Sequence, residues 1–99
     1  MATYFVTRHG GALEWAARHN IRIDHALSHL RIEEIQPGDV VIGVLPVHLA
    51  AEVCAKSARY IQIAMDLPEQ CRGIELSGDD MERHGARLVE YRVERVRCM

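Results

Sequence analysis

The sequence predicts a small Rossmann-like α/β fold, a three-layer sandwich around a largely parallel sheet of about five strands. Short apolar runs alternate with helical patterns along the chain, which is typical of α/β proteins. The run at 40–45 is apolar at every position, as expected for a parallel strand covered on both faces. The last run, from Ala86, alternates apolar and polar residues, which predicts an antiparallel or edge strand.

The first half of the chain contains two predicted strands with a helix between them. A β-branched and aromatic run predicts a strand at 3–7, and a helical pattern follows from Gly11 to about His19. Residues 21–27 are predicted to form the second strand, nearer a sheet edge because they alternate only partly. The segment 28–36 fits either a helical turn or a packed loop. The predicted buried face of the helix consists of Leu13, Ala16 and Ala17.

The second half repeats this order after a turn at 37–39. The central strand at 40–45 leads into a helix with Pro46 as its first residue, since the proline lacks an N–H that would have no partner there. A strand at 59–65 follows, and Ser77 is predicted to cap a short helix that Gly85 ends. The predicted buried face of the longer helix consists of Val47, Ala50, Val53 and Cys54.

Composition limits the classes of protein. The 99 residues, 48% of them hydrophobic, predict a single domain spanning 1–99. A formal charge of −2 gives no bulk attraction for long nucleic acid, so a polyanion would need a local patch. No apolar run approaches the roughly 20 residues that span a bilayer, and no signal peptide is recognisable, so we expect a cytoplasmic protein that does not bind membranes. The three scattered cysteines predict neither a disulfide framework nor a structural zinc site.

One corner of the predicted fold carries the candidate chemistry. Right-handed crossovers place the first and third strands side by side, and ligands bind such sheets at the carboxyl ends of the strands. This brings Thr7-Arg8-His9-Gly10 beside Gly43-Val44-Leu45-Pro46-Val47-His48. Two helix N-termini at one crevice favour phosphate, and the glycines allow the backbone to approach closely. We therefore predict an anion site.

Each candidate side chain has a plain alternative. Arg8 can clamp a phosphate and His9 can transfer a proton, although a strand-end Arg-His pair can also be merely solvated. The helix dipole favours neutral His48, which otherwise is a surface residue. Asp66 follows a strand and is a possible polar contact. Trp15 could stack on a base, but a single tryptophan in a small domain usually belongs to the core.

A metal site is a weak alternative. Asp24, His25 and His29 would have ligand spacing only on a helix, whereas the segment is predicted as a strand and a loop. No metal and no cofactor are expected.

The triplet Arg8-His9-Gly10 after a strand resembles the Arg-His-Gly motif of histidine phosphatases and phosphoglycerate mutases. In that family the histidine becomes phosphorylated, and a second histidine with further arginines completes the pocket. Those enzymes have a larger domain with long insertions, and Gly11 stands where their motif usually has an acidic residue. A histidine phosphatase therefore remains the alternative of lower rank.

A wider resemblance covers most of the chain. The segments 4–9, 11–15, 35–39, 43–53 and 64–68 resemble a family of small CRISPR-associated accessory proteins found beside type III systems. The resemblance implies a Rossmann-like domain related to the CARF domains that sense cyclic oligoadenylate. Some members of this group are thought to be ring nucleases, which cut this messenger and switch off the antiviral response.

The resemblance also implies roles for the predicted corner. In CARF-type ring nucleases a ribose 2′-hydroxyl attacks its own 3′-phosphate without a metal, leaving a 2′,3′-cyclic phosphate. Arg8 would be the phosphate clamp and His9 the proton-transfer group. Gly10 and Gly11 would supply backbone amides. The second wall of the site would consist of Leu45, Pro46 and His48.

These observations lead to one main hypothesis and three rivals. The main hypothesis is a ring nuclease for cyclic oligoadenylate, with the tetra-adenylate as the expected ring. A homodimer is expected because a cyclic ligand with repeated symmetry fits a two-fold axis. The rivals are a sensor or sponge that binds the ring without cutting it, a histidine phosphatase, and a purely structural module.

Overall fold

The computed structural model describes residues 1–71 and 73–99, and these residues form a five-stranded sheet in the order β2-β1-β3-β4-β5. Strands β1 to β4 are parallel, and β5 runs antiparallel to β4 at the edge. This confirms the predicted mixed sheet and the central, adjacent positions of β1 and β3. The strands are β1 (Thr3–Val6), β2 (His25–Leu27), β3 (Val40–Gly43), β4 (Arg59–Ala64) and β5 (Arg87–Tyr91).

Helices cover both faces of the sheet, which gives the predicted three layers. Helix α1 (Gly10–Arg18) and helix α3 (Gly78–Arg83) pack on one face, and helix α2 (Val47–Ala55) packs on the other. Short 3₁₀ turns form at Ile32–Glu34 and Glu69–Cys71. Across the described residues, no helix combines the length and the apolar character needed to cross a membrane.

The core consists of two apolar layers, because successive strand residues point to opposite faces. Phe5 and Ile42 pack with Trp15 on the side of α1 and α3, so Trp15 is a core residue. Val41 and Tyr60 pack on the α2 side. The apolar runs at β1, β3 and β4 therefore serve both layers.

Three local predictions were wrong. The second strand covers only His25–Leu27. Residues 21–24 instead form the connection from α1, which is fixed to β1 because the Asp24 carboxylate accepts a hydrogen bond from the Thr3 N–H at 2.8 Å. Helix α1 buries Ala12, Trp15 and Ala16, while Leu13 and Ala17 are exposed, because the large indole sets the face that packs on the sheet.

The third error concerns the start of α2. Pro46 is the N-cap with extended backbone, not the first helical residue. Val47 is 72% exposed, and the buried face of α2 rests on Ala50 and Val53. Helix α3 follows its prediction: the Ser77 side chain accepts a hydrogen bond from the Asp80 N–H in a capping box, and Gly85 adopts a positive φ of 70° just beyond the helix.

Candidate anion site

A cavity of about 500 Å³ lies at the carboxyl end of the parallel strands, where the topology predicts a ligand site. Five of the predicted site residues line it. They are Thr7, Arg8, His9, Leu45 and Pro46.

The polar rim of the cavity follows β1 and β2. The Thr7 N–H donates a hydrogen bond to the Leu27 carbonyl at 2.9 Å, which extends the pairing of β1 and β2 by one residue. The Thr7 hydroxyl oxygen accepts a hydrogen bond from the His9 N–H at 3.1 Å, and this closes a tight turn before α1. Arg8 is the middle residue of that turn, and its side chain lines the cavity together with His9 and His29.

The second wall is the connection from β3 to α2. Leu45 and Pro46 line it, with Val44 and Leu49 beside them. The buried Tyr60 hydroxyl fixes this connection, since its oxygen accepts a hydrogen bond from the Leu45 N–H at 3.0 Å. Burial raises the pKa of Tyr60 above its ordinary value.

The N-termini of α1 and α2 both flank the cavity, because their N-cap residues, His9 and Pro46, line it. The first amide that donates within α1 is that of Ala12, and in α2 it is that of Leu49. The amides of residues 10, 11, 47 and 48 precede these donors, as expected for the first turns of helices. Both helix ends favour negative charge at this edge of the sheet.

The interior of the cavity is apolar and lies under α1 and α3. It is lined by Ala12, Ile63, Met65, Leu67, Leu76 and Met81. Helix α3 is tied to α1 by polar contacts at the surface. Arg18 donates to Asp79 at 2.6 Å and to Glu14 at 2.5 Å, and the His19 ring contacts the Glu82 carboxylate. The apolar interior and the basic rim of the cavity together suit a ligand with an apolar part and a negatively charged part.

The charge of the lining is basic. In residues 1–71 and 73–99, the titratable or charged side chains that line the cavity are Arg8, His9 and His29. Within the same ranges no carboxylate lies within 4.0 Å of Arg8, whereas Arg18, Arg59, Arg83 and Arg87 each pair with an acidic residue. A guanidinium without a carboxylate partner keeps its charge and its donors for a ligand.

Four predicted site residues do not line the cavity. Gly11 packs against the chain before α3: a Cβ on Gly11 would lie 1.9 Å from the Leu76 carbonyl oxygen. Gly10 is exposed in the first turn of α1, and His48 is exposed in that of α2. The Asp66 carboxylate faces Arg87 at 3.4 Å on the β5 side. Because Gly10 and Gly11 have no side chains, any contact of theirs with a ligand would involve their backbone.

The sequence analysis considered His29 only as a metal ligand and did not place it at the anion site. The parallel register pairs Val6 with Leu27, so Arg8 and His29 each stand two residues beyond paired strand ends. Their side chains meet, with 3.4 Å between Arg8 Nη2 and His29 Nδ1. The signal was available only once β2 was aligned with β1, because the segment 28–36 has no periodicity of its own.

The residues of the alternative metal site do not come together. Asp24 binds the Thr3 amide, His25 stacks on Tyr4 at 4.9 Å between ring centroids, and His29 contacts Arg8. Across the ranges that the structure covers, no group of three His, Cys, Asp or Glu side chains is arranged to hold a metal ion.

The structure is that of a small α/β protein with a basic-rimmed cavity at the carboxyl edge of its sheet. The chain belongs to the family described as "Putative CRISPR-associated protein (Cas_VVA1548)", whose model matches residues 4–94. This membership confirms the CRISPR association that the sequence motifs indicate. No curated protein and no solved structure matches the chain.

Proposed function

We propose that this CRISPR-associated protein is a ring nuclease that binds and cleaves cyclic oligoadenylate, with cyclic tetra-adenylate as the expected ring. The observation that carries the proposal is the meeting of Arg8 with two helix N-termini at the rim of one apolar cavity. Backbone amides and a guanidinium suit a phosphate, and the apolar interior suits an adenine base. The domain would then act as a CARF-like module.

The proposed reaction needs positioning and charge neutralisation more than reactive side chains. The ribose 2′-oxygen forms a bond to the adjacent phosphorus, and the bond from phosphorus to the 5′-oxygen breaks. The products are a 2′,3′-cyclic phosphate and a 5′-hydroxyl, and the 2′-hydroxyl proton ends on the leaving oxygen. Arg8 would stabilise the charge on phosphorus oxygens in the transition state. His9, at the rim, would carry the proton between the two oxygens.

The second wall would hold the ligand in line for this attack. Leu45 and Pro46 are fixed through Tyr60, so they form a firm surface against which a nucleoside can pack. In-line geometry between nucleophile and leaving group is itself a large part of catalysis in such reactions. Two protomers related by a two-fold axis would present two Arg8 side chains to one cyclic ligand.

A binding protein without activity is the second candidate, and the apolar lining favours it. Most of the lining side chains, such as Ile63, Met65 and Met81, can hold a base but cannot transfer a proton. A sensor or sponge would use the same Arg8 clamp and release the ring uncut, which would also lower the concentration of free messenger.

Product analysis separates these functions. The protein is incubated with excess cyclic tetra-adenylate in EDTA, and the products are resolved by chromatography. A linear product ending in a 2′,3′-cyclic phosphate supports the ring nuclease. Intact ligand that co-purifies with the protein supports the sponge. Hydrolysis of p-nitrophenyl phosphate with a phosphohistidine at His9 would instead support the histidine phosphatase.

A further inference from the structure

The side chains of Arg8 and His29 meet at the rim of the cavity, and their contact is a hydrogen bond in only one state of the imidazole. A guanidinium carries only donors, so Arg8 Nη2 can hydrogen-bond to His29 Nδ1 only if that nitrogen is an acceptor. This hydrogen bond requires the neutral tautomer of His29 that carries its proton on Nε2. A charged imidazolium would place two cations 3.4 Å apart with no hydrogen bond between them.

The choice of a neutral acceptor matters at an anion site. A carboxylate would hold the guanidinium more strongly, but it would also neutralise the charge that a phosphate needs. A neutral imidazole restricts the Arg8 side chain and leaves its positive charge intact. The His29 Nε2–H remains as an additional donor at the same rim.

Groups that face His29 across the cavity do not compete for this contact. On the β1–α1 side, the charged or titratable side chains are Arg8 and His9. In the described residues, the β3–α2 wall and the walls formed by β4 and α3 contribute apolar side chains only. Ser28 precedes His29 and adds an uncharged hydroxyl to the rim.

We propose that His29 is a positioning residue for Arg8: as a neutral hydrogen-bond acceptor, it holds the guanidinium at the cavity rim in the orientation that receives a phosphate. The inference rests on the proposed function in one respect, namely that Arg8 is the phosphate-binding side chain. It assigns a role to the carboxyl end of β2, whereas the sequence placed the site at the ends of the first and third strands only.

The contact itself is tested in the ligand-free protein. Long-range ¹H–¹⁵N spectra of the imidazole rings at pH 8 report the protonation and hydrogen bonding of each ring nitrogen. We expect His29 Nδ1 to be unprotonated, with a resonance that moves in Arg8→Met and stays in place in the control Arg22→Met. A protonated Nδ1, or a resonance unaffected by Arg8→Met, would overturn the inference.

Its consequence is tested by calorimetric titration with 2′-deoxy cyclic tetra-adenylate, which lacks the attacking hydroxyl and is therefore not consumed during the measurement. In His29→Leu, which lacks the acceptor, we expect the Kd to rise about three- to tenfold. His29→Asn places an amide oxygen near the position of Nδ1, so its Kd should stay within about twofold of wild type, as should that of the control His25→Asn. Thermal unfolding of each variant checks that it folds.

The two titration outcomes that contradict the inference are an unchanged Kd in His29→Leu and an equal loss in His29→Asn. If the wild-type protein binds no cyclic tetra-adenylate, the proposed function fails, and the imidazole spectra still decide whether His29 holds Arg8.

Discussion

The carbonyl oxygen of Leu76 lies 1.9 Å from the position that a Cβ on Gly11 would occupy. Helix α1 thus approaches the segment before α3 at a distance that only glycine permits. Gly10, one residue earlier, has no described atom within 4 Å of its own Cβ position, apart from its chain neighbours and the nearby backbone of its own helix. The two neighbouring glycines therefore have different roles: Gly11 allows two elements to pack closely, and Gly10 leaves the first turn of α1 uncovered.

This difference predicts opposite effects of the same substitution. Gly11→Ala should lower the free energy of unfolding by about 1–3 kcal/mol or more, because the methyl group collides with backbone. Gly10→Ala should be neutral or stabilising by up to about 1 kcal/mol, since alanine fits a helical position better. Urea denaturation of both variants measures the difference. Equal stability of the two would show that α1 does not pack on Leu76 as described.

Gly10→Ala also tests the close approach of a ligand to α1. If a phosphate sits against the first-turn amides, the added methyl group should weaken cyclic tetra-adenylate binding at least severalfold while the fold remains stable. Calorimetric titration gives the Kd directly. Unchanged affinity would remove the N-terminus of α1 from the binding site.

Asp39 should control the acid stability of the fold. Its carboxylate is 5% exposed and accepts hydrogen bonds from the Ala2 and Gln36 N–H groups, both at 2.9 Å. These bonds, chiefly that from Ala2, lower the pKa of Asp39 below its ordinary value. Asp39→Asn can accept only one of them with its single oxygen, so we expect a loss of about 1–3 kcal/mol at pH 7. The control is Asp79→Asn, at an exposed ion pair.

The sign of the pH dependence follows from the lowered pKa. The ionised Asp39 stabilises the fold fully above the unfolded-state pKa of about 3.9, and this contribution is lost as the pH falls through the lower folded-state pKa. Thermal unfolding between pH 7 and pH 2 should therefore show a smaller acid-induced decrease in Tm for Asp39→Asn than for the wild type. Parallel curves would contradict the assignment.

Tyr60→Phe tests the second wall of the cavity. The substitution removes the acceptor of the Leu45 N–H, so we expect a loss of about 1–3 kcal/mol in unfolding free energy and weaker ligand binding. Burial raises the pKa of Tyr60, so its contribution is present below about pH 10 and lost as the pH rises through the folded-state value. Denaturation at pH 8 and again above pH 10 measures this loss. Between the two pH values, the unfolding free energy of the wild type should decrease more than that of Tyr60→Phe. An equal decrease would contradict this role.

Arg8→Gln is expected to weaken cyclic tetra-adenylate binding at least tenfold, because a charge-assisted, bidentate contact is lost at a site with few other charges. The matched control is Arg22→Gln, at a side chain that is 90% exposed beside Asp24 and outside the cavity lining. Calorimetry of both variants and of the wild type provides the comparison. Equal affinities would show that Arg8 is not the clamp.

The central strands could be predicted because burial determines their sequence. Strands with both faces covered must be apolar at successive positions; the run at 40–45 satisfies this throughout, and the run at 59–65 satisfies it except at Arg59 and Gln62. The cap of α3 could also be predicted, because the side chains of Ser77 and Asp80 each accept a hydrogen bond from the other's backbone amide, three residues away. The edge of the sheet at which the cavity lies could be predicted from topology.

The errors arise where contacts between residues far apart in sequence determine the local structure. Val47 has an apolar side chain at a helical position, but nothing in its own segment shows that it faces away from the sheet. The short β2 begins only after Asp24, whose carboxylate binds the Thr3 N–H twenty-one residues away in sequence. His29 becomes a site residue only through the register of β2 on β1. Gly11 packs closely against Leu76, which is distant in sequence. The residues around Gly11 do not reveal this contact, so Gly11 was predicted to lie in the ligand site instead.

The most direct test of the proposed function is the fate of cyclic tetra-adenylate in the presence of the purified protein and EDTA. We expect a linear product with a 2′,3′-cyclic phosphate, formed by the wild type and strongly reduced in Arg8→Gln. Intact cyclic tetra-adenylate after prolonged incubation with an equimolar amount of folded wild-type protein would contradict ring nuclease activity.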